Sequence, residues 1–185
     1  MPQYNDGSSS SLSDPKRYIT VHDEQGKAVF APPESEKVEL KLSGVAAFHV
    51  HYATTKFPVN FTADEDLKTF WNPKRPETIA NLDGSVCRMV DIKPDSVSPM
   101  HRTQSLDYGV VLDGEVDLIL ESLETGPVRR MRVGDVSVQR GTMHAWRNAS
   151  KDKWARMLYV LVGAEPIEVG GKMLGEDYGG IEVPK

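Results

Sequence analysis

A chain of 185 residues with 39% hydrophobic and 26% charged side chains has the composition of one soluble globular domain, neither disordered nor membrane-spanning. Its 22 basic and 27 acidic residues leave a net charge of −5, which offers no electrostatic footprint for nucleic acid or for an anionic membrane. The single cysteine, Cys87, excludes a disulfide scaffold and a cysteine-ligated zinc finger and fits a reducing compartment, so a cytoplasmic protein acting on a small molecule is expected.

In chain order, residues 1–15 (MPQYNDGSSSSLSDP) carry too little apolar surface to offset the entropy of ordering, and they lack the basic flank and apolar core of a secretory signal. A flexible tail is expected there, followed by one domain over 16–165 and a glycine-rich C-terminal extension over 166–185. YITVH (18–22) and KAVF (27–30), joined by DEQG (23–26), predict a hairpin with Gly26 at positive φ. VELKLSGVAAFHVHYATT (38–55) reads as strand, and TADEDLKTFW (62–71), opening on Thr62 with acids in its first turn, predicts a short helix. Beyond it come VCRMVDI, HRTQSLDYGVV, EVDLILE, VRRMRV, DVSVQ, HAWRN and WARMLYVLVG, separated by Gly, Asp, Asn and Pro turn signals. Short strands at this turn spacing predict an all-β fold, an antiparallel sandwich or small barrel.

Two of these stretches carry chemistry. Along 93–115 (KPDSVSPMHRTQSLDYGVVLDGE), period-2 alternation puts His101, Thr103, Ser105 and Asp107 on one strand face. Along 133–148 (VGDVSVQRGTMHAWRN), His144 starts a return strand after the turn at Arg140–Gly141. His101, Asp107 and His144 together make two imidazoles and one carboxylate, a set suited to a divalent Fe, Mn, Ni or Zn ion. Without metal, Asp107 beside His101 is an acid/base pair. Thr103 is expected as a cavity hydroxyl, Trp146 as the cavity floor, and Arg88, on one face with Val90 and Ile92, as a clamp for a substrate carboxylate. His49 and His51 form a separate His-x-His that is expected in a barrel wall or a dimer seam. Tyr108 and Arg102 fall on the opposite face from the candidate ligands.

The two stretches resemble the paired motifs of the cupin superfamily. In the first motif the leading His falls on His101, the acid on Asp107 and the closing glycine on Gly114; in the second, Gly134, Gly141, His144 and Asn148 match. Thr103 stands where the family has its second His, Asp107 where it has Glu, and Asp95 where it has the opening Gly. The run HRTxSLDYGVV with GDVxVQRGTxHAWRN is similar to a single-domain branch found in bacteria and filamentous fungi. The resemblance, over about residues 85–162, implies an RmlC-like antiparallel β-barrel or jelly roll with an N-terminal strand arm.

What the resemblance implies about function is a metal-dependent small-molecule tailoring enzyme of lyase or isomerase type, dehydrating or decarboxylating an oxygenated substrate, in secondary metabolism. His101 and His144 lead the expected ligands, with Asp107 next. An Fe(II)-dependent oxygenase is the second reading, and a non-catalytic cupin that binds a small ligand is the third. A homodimer is expected, because the arm at 18–55 can cover an open sheet edge of its own or of a partner subunit.

Overall fold

The computed structural model describes residues 10–179 except 39, 76 and 77, so most of the expected tail (1–9) and the end of the C-terminal extension (180–185) lie outside the described residues. The strands are β1 (Thr20–His22), β2 (Ala28–Phe30), β3 (Leu40–Ser43) and β4 (Ala46–Thr54), followed by helix α1 (Glu65–Phe70). Then come β5 (Ser85–Ile92), β6 (Ser105–Asp113), β7 (Glu115–Leu120), β8 (Val128–Arg132) and β9 (Val136–Arg140). The last are β10 (His144–Asn148), β11 (Ala155–Gly163), β12 (Ile167–Val169) and β13 (Lys172–Leu174). β3-β4-β5-β11-β6-β9 form a six-stranded antiparallel sheet and β10-β7-β8 a three-stranded one, the double sheet of a jelly-roll barrel.

Alternation decides which side chains lie between the sheets. On β11, Ala155, Met157, Tyr159 and Leu161 are buried while their neighbours are half-buried, and on β8 only Met131 turns inward. These residues join Val86, Val90 and Ile92 of β5, Val111 of β6, Val116 of β7 and Trp146 of β10 in one apolar cluster that spans both sheets. Each sheet also carries a buried carboxylate facing away from the barrel. Asp91 on β5 takes a two-pronged contact from Arg156 on the neighbouring β11, 2.6 and 2.7 Å. Asp117 on β7 takes Arg130 from one side and Arg147 from the other, which holds its carboxyl below the usual range. Arg129, Arg130 and Arg132 of VRRMRV are exposed; alternation accounts for Arg130 and Arg132, whereas Arg129 shares the parity of Met131.

The arm packs on its own chain. Arg17 donates to the carbonyls of Ser35, His51 and Lys37 and lies 5.2 Å from the Phe70 ring centre, tying the arm to β4 and α1. In the described part of the expected tail, Ser13 O accepts a hydrogen bond from Arg156 Nη1 at 2.9 Å, the guanidinium nitrogen that Asp91 leaves free. The hairpin at 18–30 forms with Gly26 at φ 77. Thr62 does not cap the helix; it opens a 3-10 turn, and Asp64 at φ 55 precedes α1. The C-terminal extension contributes the β12–β13 hairpin, and Asp177 pairs with Arg102.

Asp95, which replaces a motif glycine, sits at φ 52 and gives its N–H to Ser150 O at 2.8 Å. Aspartate is one of the few residues that tolerate this left-handed backbone, so the turn survives the replacement. Asn148 ties the two sheets together. Its Nδ2 donates to Ile92 O on β5 and to Lys153 O, and its Oδ1 accepts from Ser150 N. Asn148→Ala strands these buried groups, and a loss of about 1–3 kcal/mol is expected in urea unfolding. A midpoint unchanged from the parent protein would show that this side chain does not hold the sheets.

Candidate functional site

The segment after β5 runs back along β10. Val97 bridges Arg147, and His101 and His144 exchange both backbone hydrogen bonds, 2.8 and 2.9 Å. This pairing brings the two imidazoles together, with ring centres 4.3 Å apart at 49°. Each Nδ1 lies 2.9 Å from the carbonyl oxygen two residues earlier, Pro99 for His101 and Thr142 for His144. A carbonyl only accepts, so each Nδ1 carries the proton and each neutral ring keeps its lone pair on Nε2. Burial, with His144 alongside, pushes the His101 pKa down to about 4, and burial also lowers His144. Both rings are neutral at pH 7.

His101 therefore does not continue β6, as unbroken alternation over 101–111 would have it. Its backbone bonds go to β10 of the other sheet, and the regular strand starts at Ser105. From Thr103 onward the expected face holds. Ser105 Oγ donates to Asp107 Oδ1 at 2.5 Å, Thr103 Oγ1 donates to Asp107 Oδ2 at 3.2 Å, and the two hydroxyls are 2.8 Å apart. Burial raises the Asp107 carboxyl, opposed by the Ser105 hydrogen bond and the Arg88 charge. Each Asp107 oxygen thus accepts from one hydroxyl. Among the described residues no three His, Cys, Asp or Glu side chains gather closely enough to hold one ion, so the expected set of His101, Asp107 and His144 is not drawn into a single cluster. The donor chemistry fits a divalent cation at the imidazole pair, where two neutral Nε2 atoms are uncommitted and both rings are fixed from behind. It does not extend to Asp107.

Arg88 stands on the inner side of β5, level with Tyr159 on β11 and, one strand further, with Gly109 on β6. A Cβ at Gly109 would sit 3.1 Å from the Tyr159 ring and 2.6 Å from Ser137 Oγ, so any side chain there would crowd both. Trp146 is buried, edge-on to His144 at 5.9 Å and to Tyr159 at 5.4 Å. Gln139 is buried beside Asp107 on β9, accepts from Thr142 through Oε1, and leaves Nε2 without a partner. Sequence reasoning missed Gln139, Tyr159 and Tyr178. The first two share the inward parity of their strands, a signal that was available; Tyr178 arrives from the C-terminal segment and has none.

His49 and His51 do not reach this interior. They are buried on the far face of the six-stranded sheet beneath the arm, with His49 Nε2 3.8 Å from Asp91 and the His51 carbonyl accepting from Arg17. Tyr108 is exposed and Arg102 donates to Gly175 O, both away from the imidazole pair.

No family model matches the chain. Phomopsin biosynthesis cluster protein C' of Diaporthe leptostromiformis is 46% identical over 170 residues, covering 90% of this chain and 88% of its own. The cupin-domain-containing oxidoreductase srdB of Neurospora crassa is 42% identical over 170 residues, covering 91% of this chain and 83% of its own. Among solved structures, an RmlC-like cupin from Shewanella frigidimarina overlaps 70% of this chain and 87% of its own at 10% identity and a TM-score of 0.44.

Of the five histidines, His49, His51, His101 and His144 are all held below the ordinary imidazole value, in each case chiefly by burial. The unfolded chain therefore binds protons more readily than the folded one below about pH 6.5. Stability is full above that pH and falls as the pH drops toward about 4; the raised Asp107 works in the opposite sense, one group against four. Urea midpoints measured between pH 7.5 and 4.5 are expected to decline steadily, on the order of the shift expected for several buried imidazoles. A flat or rising series would contradict the burial of these rings.

Proposed function

Because the chain belongs to the cupin family, we propose that it is a small-molecule tailoring enzyme of secondary metabolism whose reaction is a proton transfer inside the barrel, of lyase or isomerase type. The observation that carries this reading is the imidazole pair: two neutral rings, their Nδ1 atoms committed to carbonyls, with both Nε2 lone pairs free in an interior walled by Trp146 and Tyr159. One Nε2 takes a proton from carbon or oxygen of the substrate, and the same or the second ring returns it, to another carbon in an isomerisation or to a leaving hydroxyl in a dehydration. The buried aromatic walls exclude water from that exchange. Asp107, fixed by Ser105 and Thr103, supplies negative charge that favours the imidazolium formed in passing. The same two Nε2 atoms would hold a divalent cation in place of the proton; when bound it would supply a Lewis acid for a carbonyl or carboxylate oxygen, and the proton would then be moved by Asp107 rather than by the rings.

The biosynthetic context is supported by the relatives named for the phomopsin cluster. A second reading, an Fe(II)-dependent oxygenase, is favoured by one observation, the oxidoreductase names of srdB and of virC from Hypocrea virens. As to location, no helix of the described residues is long and apolar enough to cross a membrane. The edge strand β3, which exposes Leu40 and Leu42, is the side on which a homodimer would form.

Two measurements test this account. Titrated with Mn, Fe, Ni or Zn, the protein is expected to bind one cation, with binding lost in His101→Ala and His144→Ala, retained in Asp107→Asn and Thr103→Ala, and the sheet spectrum unchanged. Binding that survives both histidine substitutions would remove the imidazole pair from the site. Incubated with extract from a strain lacking the gene, the protein is expected to convert one accumulated metabolite without oxygen and with solvent deuterium entering the product. Oxygen uptake matching product formation would establish the oxygenase instead.

A further inference from the structure

The barrel interior holds a cation that no carboxylate of the described residues contacts in an ion pair. Arg88 projects inward from the middle of the six-stranded sheet, and its charge is felt by His101, His144, Asp107, Tyr159 and Tyr178. Its Nε is buried without a hydrogen-bond partner, and it forms no ion pair among the described residues. Leaving a guanidinium unpaired away from water is costly, and the outer arginines of this protein avoid that cost: Arg130, Arg147 and Arg156 all reach carboxylates. Asp107, whose oxygens accept from Ser105 and Thr103, acts on Arg88 through its charge alone and makes no hydrogen bond or ion pair with it.

A second donor is orphaned in the same interior. Gln139 is only 4% exposed, and its Nε2 has no acceptor. Two unsatisfied donors, one of them a planar cationic fork, call for a ligand that brings acceptors and negative charge. The rest of the surroundings is flat and apolar, with the Phe48 ring 5.8 Å from the guanidinium carbon and Tyr159 and Trp146 beyond. The C-terminal segment is tied to Arg102. Arg102 and Asp177 exchange backbone hydrogen bonds of 2.6 and 2.9 Å, Arg102 Nε holds Gly175 O at 2.7 Å, and this brings Tyr178 into the field of Arg88.

We propose that Arg88 is the specificity-determining residue of the barrel, selecting a substrate that carries a carboxylate on a flat apolar body and presenting that body to the imidazole pair on the facing sheet. The inference rests on the barrel interior being the reactive site. It restricts the substrate to organic acids.

The test uses the full chain, dialysed against a chelator so that no metal contributes to carboxylate binding, with benzoate and its neutral isostere benzamide as probes. Calorimetry at pH 7 is expected to show benzoate binding, with benzamide about tenfold or more weaker. Arg88→Lys keeps the charge and loses the fork, and is expected to weaken benzoate by about tenfold; Arg88→Met is expected to abolish the preference for benzoate. Because Arg88→Met removes an interior side chain, the labelled wild-type protein provides a second readout: the Arg88 Nε–H resonance is expected to shift with benzoate and not with benzamide. Equal affinity for the two probes, no benzoate binding at millimolar concentration, or an unmoved Arg88 resonance would each overturn the proposal. The readout is binding rather than turnover, so failure of the proton-transfer reading would leave these results standing.

Discussion

The site depends on one short pairing, the reciprocal backbone hydrogen bonds between His101 and His144. Two residues of β10's inner face would otherwise look across the barrel at nothing reactive. Because the chain after β5 returns along β10 instead of entering β6 directly, a second imidazole is delivered beside the first at 4.3 Å. The same geometry turns each Nδ1 back onto a carbonyl of its own segment, which fixes ring, tautomer and direction without help from any other side chain. Burial then keeps both rings neutral. Backbone topology, tautomer and charge state are thus set together.

The two sheets contribute different chemistry to the interior. The three-stranded sheet and its irregular companion segment present lone pairs. The six-stranded sheet presents the Arg88 cation and, further along, the Asp107 carboxylate, already satisfied by two hydroxyls. The outer faces are handled differently, with each buried carboxylate matched to arginines on neighbouring strands. Asp91 and Asp117 are thus paired on the outside, while Arg88 within forms no ion pair among the described residues.

Much of the fold was legible because short strands alternate and turn residues punctuate them. VRRMR and HAWRN coincide with β8 and β10, and the hairpin at 18–30 follows from the DEQG turn. The site was legible in part. Thr103, Ser105 and Asp107 share the face that period 2 assigns them, and Trp146 lies beside His144 for the same reason. Alternation failed at His101, where pairing with another sheet outweighs continuation of the strand, a long-range preference that no local pattern encodes. For the same reason the spacing of His101 and Asp107 did not reveal that the carboxylate would be taken by hydroxyls. His49 and His51 have the spacing of a ligand pair, but their strand turns them beneath the arm, and the contacts that bury them run through Arg17 and Arg156, far away in sequence.

The central claim is that His101 and His144 present two free Nε2 lone pairs to the barrel interior. Long-range proton–nitrogen correlation spectra of histidine-labelled, chelator-treated protein at pH 7 test it most directly. The account predicts that both rings are neutral and protonated at Nδ1, with Nε2 bare. A proton on Nε2 of either ring, as the other tautomer or as the imidazolium, would contradict it.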